Sequence, residues 1–343
     1  MDEVIQYLEK YASIVEIQDN IFTVIFHENP DNSIRKLKKD LSKKDIIFRV
    51  TREGDYYRLT FVEWKAPKNN ILVPLLLLLG TIFTTLVAGA LQQGYIPWKN
   101  WSYLAKGVPF SFSVILVLGT HELAHFLTSK KNGIAATLPY FIPFPNPLIG
   151  TMGAFIRVKA PLSDRKALLE IGSSGPIAGF IMSIPLSIIG LLHSKIGEIR
   201  EGMISLGTPV IFQILSRLCL GKIPESSSLI LHPMAFAGWL GFFVTSLNLI
   251  PIGQLDGGHI LFGILGKKYH NIFSRILLLA LVPLGFLWSG WWMWAILLLI
   301  LGTRHPEPLY TEEKLSTSGY ILAMLSMLIF GLTFTPTPIR VVP

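Results

Sequence analysis

Three ionisable residues stand inside a stretch that otherwise has the composition of a membrane helix. Between positions 108 and 126, His121, Glu122 and His125 are surrounded almost entirely by apolar or small side chains. At helical spacing the two histidines share one face, where both imidazoles can reach a single metal ion, while Glu122 is rotated by about 100°. This His-Glu-x-x-His arrangement is typical of two zinc ligands and a carboxylate that takes a proton from an attacking water.

The pattern alone leaves a structural interpretation open. A His-Glu-x-x-His sequence also occurs by chance in soluble helices, where a buried histidine is more often a hydrogen-bonded core residue than a ligand. The membrane setting favours the metal, because polar side chains at that depth cost a few kcal/mol each and need a partner or a cavity. We therefore predict a metal site at His121 and His125.

Asp256 is the candidate for a third ligand. It is the only acidic residue between Glu225 and Glu307, and it follows an apolar segment directly before Gly257 and Gly258. An Asp-Gly turn at the membrane surface would by itself be the commoner explanation. Together with the two histidines, however, Asp256 completes a set of three ligands and leaves a fourth position open, as catalytic zinc requires.

The composition of the 343-residue chain indicates a polytopic α-helical membrane protein. Hydrophobic residues make up 51% and charged residues only 15%, and the formal net charge is +8. Residues 1–70 hold 12 basic and 12 acidic residues, so the positive excess lies in the short loops between apolar segments and makes no basic run. That distribution is typical of membrane-flanking charges and argues against a nucleic-acid partner. Cys219 is the only cysteine, which excludes intrachain disulfides and a cysteine-based zinc site.

About six membrane spans are expected from the apolar runs. The first four cover residues 71–91, 109–128, 169–192 and 232–250, and the last covers 318–332. Between them, residues 275–301 suit either one long span or two half-spans around Gly290. In the connection 193–231, residues 203–220 are predicted to form either an amphipathic helix or a short hydrophobic, membrane-associated helix. The Gly-rich segment 172–179 is interpreted as a helix-packing face.

Residues 1–66 are predicted to form a small soluble α+β domain ahead of a transmembrane domain, 67–343. The expected elements are helices over 4–11 and 33–41, strands over 13–18 and 21–27, and a hairpin of 46–51 with 56–62 around Gly54. No signal peptide is recognisable, so we expect this domain to be cytoplasmic. A regulatory or substrate-contacting role and an inert folding module are equally compatible with its sequence.

Residues 137–158 form an unusual apolar segment rich in proline. Four prolines within eleven residues exclude a helix, and such backbone is tolerated at membrane depth only where protein or a wet cavity satisfies its polar groups. We predict a re-entrant loop and β-hairpin, whose edge near 150–158 could pair with an extended substrate. An interfacial loop without a substrate role is the alternative.

With both motifs in membrane segments, the chain resembles the site-2 protease family of intramembrane zinc metalloproteases, in the branch without a PDZ domain that includes chloroplast members. The resemblance covers about residues 70–305. It implies one Zn²⁺ per chain, held by His121, His125 and Asp256, with Glu122 as the catalytic glutamate. Asn248 matches a family asparagine near the active site. Residues 304–306, Arg-His-Pro, have no expected role beyond a structural one.

The resemblance implies hydrolysis of a peptide bond in or next to a transmembrane helix of a membrane-anchored substrate, as in regulated intramembrane proteolysis. We expect a multi-pass protein of a prokaryotic cell membrane with its active site toward the cytoplasm. Two alternatives are a catalytically inactive zinc-binding scaffold or transporter, and a membrane-anchored protease whose site lies outside the bilayer. The substrate and the oligomeric state are left open by the sequence.

Overall fold

The computed structural model describes residues 2–42, 44, 46–63, 70–158, 162–198, 204–224, 227–311 and 315–341. The helices, in chain order, are α1 (Asp2–Glu9), α2 (Pro30–Ser42), α3 (Leu72–Gln92), α4 (Val108–Lys131), α5 (Arg165–Leu192), α6 (Val210–Leu220), α7 (Pro233–Asn248), α8 (Asp256–Leu284), α9 (Gly290–Leu301) and α10 (Thr317–Thr333). The strands are β1 (Ala12–Gln18), β2 (Ile21–Phe26), β3 (Ile46–Glu53), β4 (Tyr56–Glu63), β5 (Tyr140–Pro143), β6 (Thr151–Phe155), β7 (Lys195–Glu198), β8 (Ile204–Leu206), β9 (Ser227–Ile230) and β10 (Ile339–Val341).

The N-terminal region is a four-stranded antiparallel sheet, ordered β1-β2-β4-β3, with α1 and α2 packed on it. Helix α2 is highly charged, yet Leu37 and Leu41 recur four residues apart and both are fully buried. The predicted hairpin is present as β3 and β4, and Gly54 in its turn has a positive φ of 65°. The region therefore has its own apolar core.

Three helical segments are long and apolar enough to cross a membrane: Leu72–Gln92, Trp101–Lys131 and Arg165–Leu192. They correspond to the first three predicted spans. The expected total of six is not confirmed, because the other predicted spans fall on shorter helices: α7 with 16 residues, α9 with 12 and α10 with 17. The stretch 275–301 is divided between the end of α8 and α9, as the half-span alternative predicted.

Helix α5 is the central element, since it packs against α4, α7, α8 and α10. Small residues allow this: a Cβ on Gly190 would lie 2.0 Å from the backbone nitrogen of Ala235, and a Cβ on Gly238 would lie 2.2 Å from Ser187 Oγ. Because α7 ends at Asn248, its close contact with α5 positions the turn that leads to Asp256 at the start of α8. The helix carrying the histidine pair, α4, packs against both α5 and α7.

The proline-rich segment forms the predicted hairpin, with β5 and β6 paired antiparallel and packed against α3. Its turn lies so close to α3 that a Cβ on Gly150 would be 2.6 Å from the carbonyl oxygen of Thr84. Gly150 also has a positive φ of 73°, so two constraints favour glycine there.

The predicted helix over 203–220 is wrong in its first part. Residues 204–206 are β8, which pairs antiparallel with β10 near the C-terminus, and the helix begins only at Val210. Pro209 explains the late start, because a proline cannot continue a preceding helix but suits a helix start. Met203 lies outside the described residues.

Candidate metal centre

Helix α4 places His121 and His125 one turn apart on its buried face. The two Nε2 atoms are 3.1 Å from each other, and the residues are 4% and 6% exposed. The i, i+4 spacing predicted this pairing. Both rings lie against α5, next to Gly175 and Gly179.

Asp256 reaches the same point from α8, as its first residue. Asp256 Oδ2 lies 3.3 Å from both His121 Nε2 and His125 Nε2. The turn ahead of α8 is tightly packed, because a Cβ on Gly257 would meet the Leu249 carbonyl oxygen at 2.1 Å and one on Gly258 would meet that of Gly253 at 2.3 Å. Gly257 and Gly258 therefore allow the start of α8 to pack directly against the backbone of residues 249–253.

The separations fit a zinc ion. Two ligand atoms that each lie about 2.0–2.1 Å from a tetrahedral zinc are about 3.3 Å apart. The candidate ligand atoms of His121, His125 and Asp256 lie within 4.8 Å of one another. Among the described residues, this is the one group of three or more His, Cys, Asp or Glu side chains close enough to hold a metal ion. If these three residues held a tetrahedral zinc ion, its fourth position would be available to water or substrate.

The surrounding residues orient the two imidazoles. His125 Nδ1 donates to the backbone oxygen of Ile171 at 2.8 Å, which leaves Nε2 to face the cluster. Asn248, at the end of α7, places its Nδ2 3.3 Å from His121 Nε2. The predicted asparagine therefore does lie at the cluster.

Glu122 is buried next to the cluster without joining it. Its residue is 6% exposed, and Oε1 lies 4.0 Å from His121 Nε2. The backbone of Ile156, directly after β6, lies next to this carboxylate. Glu122 therefore stands between the metal site and the edge of the hairpin.

The glycines of α5 have a more specific partner than the sequence indicated. A Cβ on Gly175 would lie 2.1 Å from His125 Nε2, and one on Gly179 would lie 3.2 Å from His121 Nδ1. The packing face predicted for 172–179 is thus the surface against which both histidine rings lie. The spacing of Gly175 and Gly179 predicted that another helix approaches closely, but it could not identify the residues that lie there.

Sequence reasoning missed a second histidine group behind Asp256. His305 Nε2 lies 2.5 Å from His259 Nδ1, one helical turn after Asp256. His270 Nε2 donates to the Gly253 carbonyl at 3.1 Å and so braces the turn before Asp256. Through His305, the Arg-His-Pro segment contacts α8. Burial, with the neighbouring His259, lowers the pKa of His305 to about 3.

Comparison with known proteins agrees with this site. Residues 109–287 match peptidase family M50, which is more than half of the chain. Probable zinc metalloprotease EGY2, chloroplastic, of Oryza sativa subsp. indica is 31% identical over 265 residues, covering 74% of this chain and 47% of the relative. The Arabidopsis thaliana protein of the same name is 30% identical over 276 residues, covering 78% and 48%.

The chain thus spans about half the length of these curated relatives. They are chloroplast proteins by name, so they do not support the expectation of a prokaryotic cell membrane. Their names specify zinc, the metal that the His121, His125 and Asp256 group fits. No solved structure matches the chain.

Proposed function

Since this chain belongs to peptidase family M50, the site-2 protease family, we propose that it is an intramembrane zinc metalloprotease. Its substrate would be a membrane-anchored protein, cut in or next to a transmembrane helix as a step of regulated proteolysis. One observation carries the proposal: His121, His125 and Asp256 converge at 3.1–3.3 Å with the uncoordinated Glu122 carboxylate beside them.

In this proposal His121, His125 and Asp256 hold the zinc ion. Bound zinc supplies Lewis acidity that polarises the scissile carbonyl and lowers the pKa of a coordinated water. The hydrogen bond from His125 Nδ1 to the Ile171 carbonyl keeps the ring in the tautomer that ligation requires. Asn248, whose Nδ2 lies 3.3 Å from His121 Nε2, would orient the scissile carbonyl through its amide.

Glu122 moves the protons. Its carboxylate takes one from the attacking water and delivers it to the leaving amine as the peptide bond breaks. Glu122 Oε1 lies 4.0 Å from His121 Nε2, so the carboxylate would face a water molecule held at the metal site without itself being a ligand. A site that only binds zinc would have no need of such a group.

The substrate must be unwound, because the carbonyls of a helix are occupied by internal hydrogen bonds. Strand β6 pairs only with β5 within the described residues, and Ile156 at its end touches Glu122. An extended substrate segment could add to the β6 edge and pass the metal site.

The test of the activity is the Glu122→Gln variant, which keeps the shape of the side chain and removes the base. We expect zinc content to stay at the wild-type level and cleavage of a model membrane substrate in liposomes to fall about 100-fold or more. Cleavage at the wild-type rate with zinc retained would refute the role of Glu122. Zinc transport by the variant would instead support the scaffold or transporter alternative.

The architecture is proposed along with the activity. Residues 1–66 would form a separate domain on the cytoplasmic side and 67–343 a domain of about six membrane-embedded helices, with the metal site toward the cytoplasm. Labelling of single cysteines placed in residues 1–66, in a Cys219→Ser background, tests this topology. Labelling from the opposite side of the membrane would contradict it.

A further inference from the structure

Helix α8 buries two polar side chains that are not among the candidate metal ligands. His270 and Ser274 are both 0% exposed, while their neighbours Tyr269 and Phe273 are 51% and 42% exposed. The two polar residues are four positions apart and therefore lie on one face of the helix. Buried polar groups need hydrogen-bond partners, so the partner of this face indicates what the face does.

Both side chains bond to the same residue, Gly253, in the turn before α8. Ser274 Oγ accepts from the Gly253 N–H at 3.3 Å, and His270 Nε2 donates to the Gly253 carbonyl oxygen at 3.1 Å. Residues 251–255 belong to no helix or strand, so their backbone groups lack the regular partners of those elements and need others. One face of α8 thus holds both the donor and the acceptor of Gly253.

A kink in α8 makes these contacts possible. In a straight helix His270 would lie about 21 Å along the axis from Asp256, since each residue adds about 1.5 Å. Gly266, however, has non-helical angles, φ 73° and ψ 178°, which divide α8 into 256–265 and 267–284. The second half can therefore turn back toward the start of the first, and the positive φ favours glycine at the kink.

Gly253 passes this restraint on to Asp256. It lies three residues before Asp256, and its carbonyl oxygen lies so close to the first turn of α8 that a Cβ on Gly258 would be 2.3 Å from it. A Cβ on Gly253 itself would be 2.6 Å from the Gly302 carbonyl oxygen. The turn is therefore packed tightly against backbone, and a shift of Gly253 would displace the start of α8.

The His270 ring is itself held in place. Its centroid is 5.7 Å from that of Phe262, in the first half of α8, and 5.5 Å from that of His305. Metal sites depend on supporting residues whose own rotamers are fixed by packing in this way. His270 therefore has the surroundings of a residue that fixes the position of its neighbours.

We propose that His270 and Ser274 are positioning residues for the Asp256 carboxylate. By holding Gly253, they keep Asp256 Oδ2 at 3.3 Å from both histidine Nε2 atoms of the candidate metal centre. They act through the backbone of the turn and not on the metal or the substrate. The inference rests on the proposed function, because it concerns a ligand of the metal centre at which peptide hydrolysis is proposed.

The experiment measures metal binding by the full chain in detergent. Metal-free protein is titrated with Co²⁺ in the presence of a competing chelator, and the bound Co²⁺ is then displaced with Zn²⁺. Co²⁺ binds to the same kinds of ligand as Zn²⁺, and its visible absorption spectrum depends on their geometry. Since no substrate is needed, a wild-type protein that binds metal and cleaves nothing would count against the proposed function alone.

The decisive variant is His270→Leu, which removes the donor and keeps a bulky side chain. We expect Co²⁺ and Zn²⁺ affinities to fall about 10–100-fold, the usual effect of losing the support of a ligand, together with an altered Co²⁺ spectrum. Ser274→Ala should change both in the same direction. His270→Gln should restore the wild-type affinity and spectrum, because the glutamine Nε2 is as many bonds from the backbone as the histidine Nε2 and can donate to the same carbonyl.

Ser326→Ala is the matched control for Ser274→Ala. Ser326 is 2% exposed, and its hydroxyl donates to the Leu322 carbonyl of its own helix at 2.9 Å, so the variant removes a buried hydroxyl without releasing the turn. Its metal affinity should equal that of the wild type. Wild-type affinity in His270→Leu, an equal loss in His270→Gln, an equal loss in the two serine variants, or no metal binding by the wild type would each overturn the proposal.

Discussion

At the scale of single residues, the candidate metal centre is packed tightly against glycines of α5. The His125 ring occupies the space that a side chain at position 175 would need, with only 2.1 Å between Nε2 and a Cβ placed there. The ring is held from its other nitrogen by the Ile171 carbonyl of the same helix α5. Any displacement of the ring therefore affects both its hydrogen bond and its ligand atom.

Gly175→Ala should accordingly weaken zinc binding. The new methyl group would push His125 away from Asp256, and disturbance of a ligand's support typically costs about 10–100-fold in metal affinity. Zinc retained after dialysis against a graded series of chelator concentrations measures this. Gly331→Ala is the matched control, because a Cβ at Gly331 meets nothing within 4 Å. Equal zinc retention in both variants would contradict the packing role.

His305 makes a pH-dependent contribution at the same scale. Burial, followed by the charge of His259 and with His270 nearby, lowers its pKa from 6.5 to about 3. The folded protein therefore keeps this imidazole neutral below pH 6.5, where the unfolded chain takes up a proton. Stability is present above pH 6.5 and is lost as the pH falls, by about 1.4 kcal/mol for each unit below that value.

We expect His305→Gln to reduce the acid sensitivity of the fold. The midpoint of thermal unfolding in detergent should fall less between about pH 7.5 and 5.5 than it does for the wild type. His27→Gln, a change at an exposed residue of the N-terminal region, should leave the wild-type difference intact. If the unfolding midpoint of His305→Gln falls on acidification by as much as that of the wild type, the buried neutral His305 is not the source of the acid sensitivity.

At the scale of elements, helix α5 and the β5–β6 hairpin determine what the metal centre can reach. Helix α5 lies against both ligand-bearing helices, α4 and α8, and so sets their separation. The hairpin approaches from the side of α3 and brings Ile156 to Glu122. A substrate strand beside β6 would thus be adjacent to the base.

Cross-linking tests the β6 edge. Met152 in β6 is 68% exposed, so Met152→Cys in a Cys219→Ser, Glu122→Gln background should form a disulfide with a substrate that carries a cysteine near its scissile bond. Met327→Cys, at a residue of α10 that is 78% exposed, is the control and should form none. Equal yields at the two positions would exclude β6 as the dock.

At the scale of the whole molecule, a short segment before α10 connects the N-terminal region to the helical part. The Leu309 carbonyl accepts from the Val50 N–H in β3, while the Leu309 N–H donates to Leu162. Tyr310 is 3% exposed within the core of the N-terminal region, and its hydroxyl donates to Asp31 Oδ1 at 2.7 Å. The two parts of the chain are therefore joined by a buried side chain as well as by covalent connection.

Tyr310→Ala should loosen this attachment. Removal of a buried aromatic side chain costs about 3–5 kcal/mol, and we expect faster cleavage within residues 1–66 in limited proteolysis followed by mass spectrometry. Zinc content should not change, because Tyr310 does not contact the metal cluster. Tyr320→Ala, at a half-exposed residue of α10, serves as the control; the same proteolysis rate in both variants would show that Tyr310 does not anchor the region.

The sequence by itself determined the features that depend on local spacing. The i, i+4 histidines, the apolar helices α3, α4 and α5, the hairpin turn at Gly54 and the proline-broken segment are all properties of neighbouring residues, and the structure contains each of them. Asp256 could also be predicted as a metal ligand from the sequence, since a lone carboxylate in an apolar region needs a partner. Asn248 came from the family resemblance alone.

Only the tertiary structure decided which distant elements meet. The approach of Asp256 to His121 and His125 across 131 positions depends on how α4, α5 and α8 pack, and packing over such separations leaves no periodic signal in the chain. For the same reason the sequence could not show that Gly175 faces His125, that His305 contacts His259, or that residues 204–206 pair with the C-terminal strand.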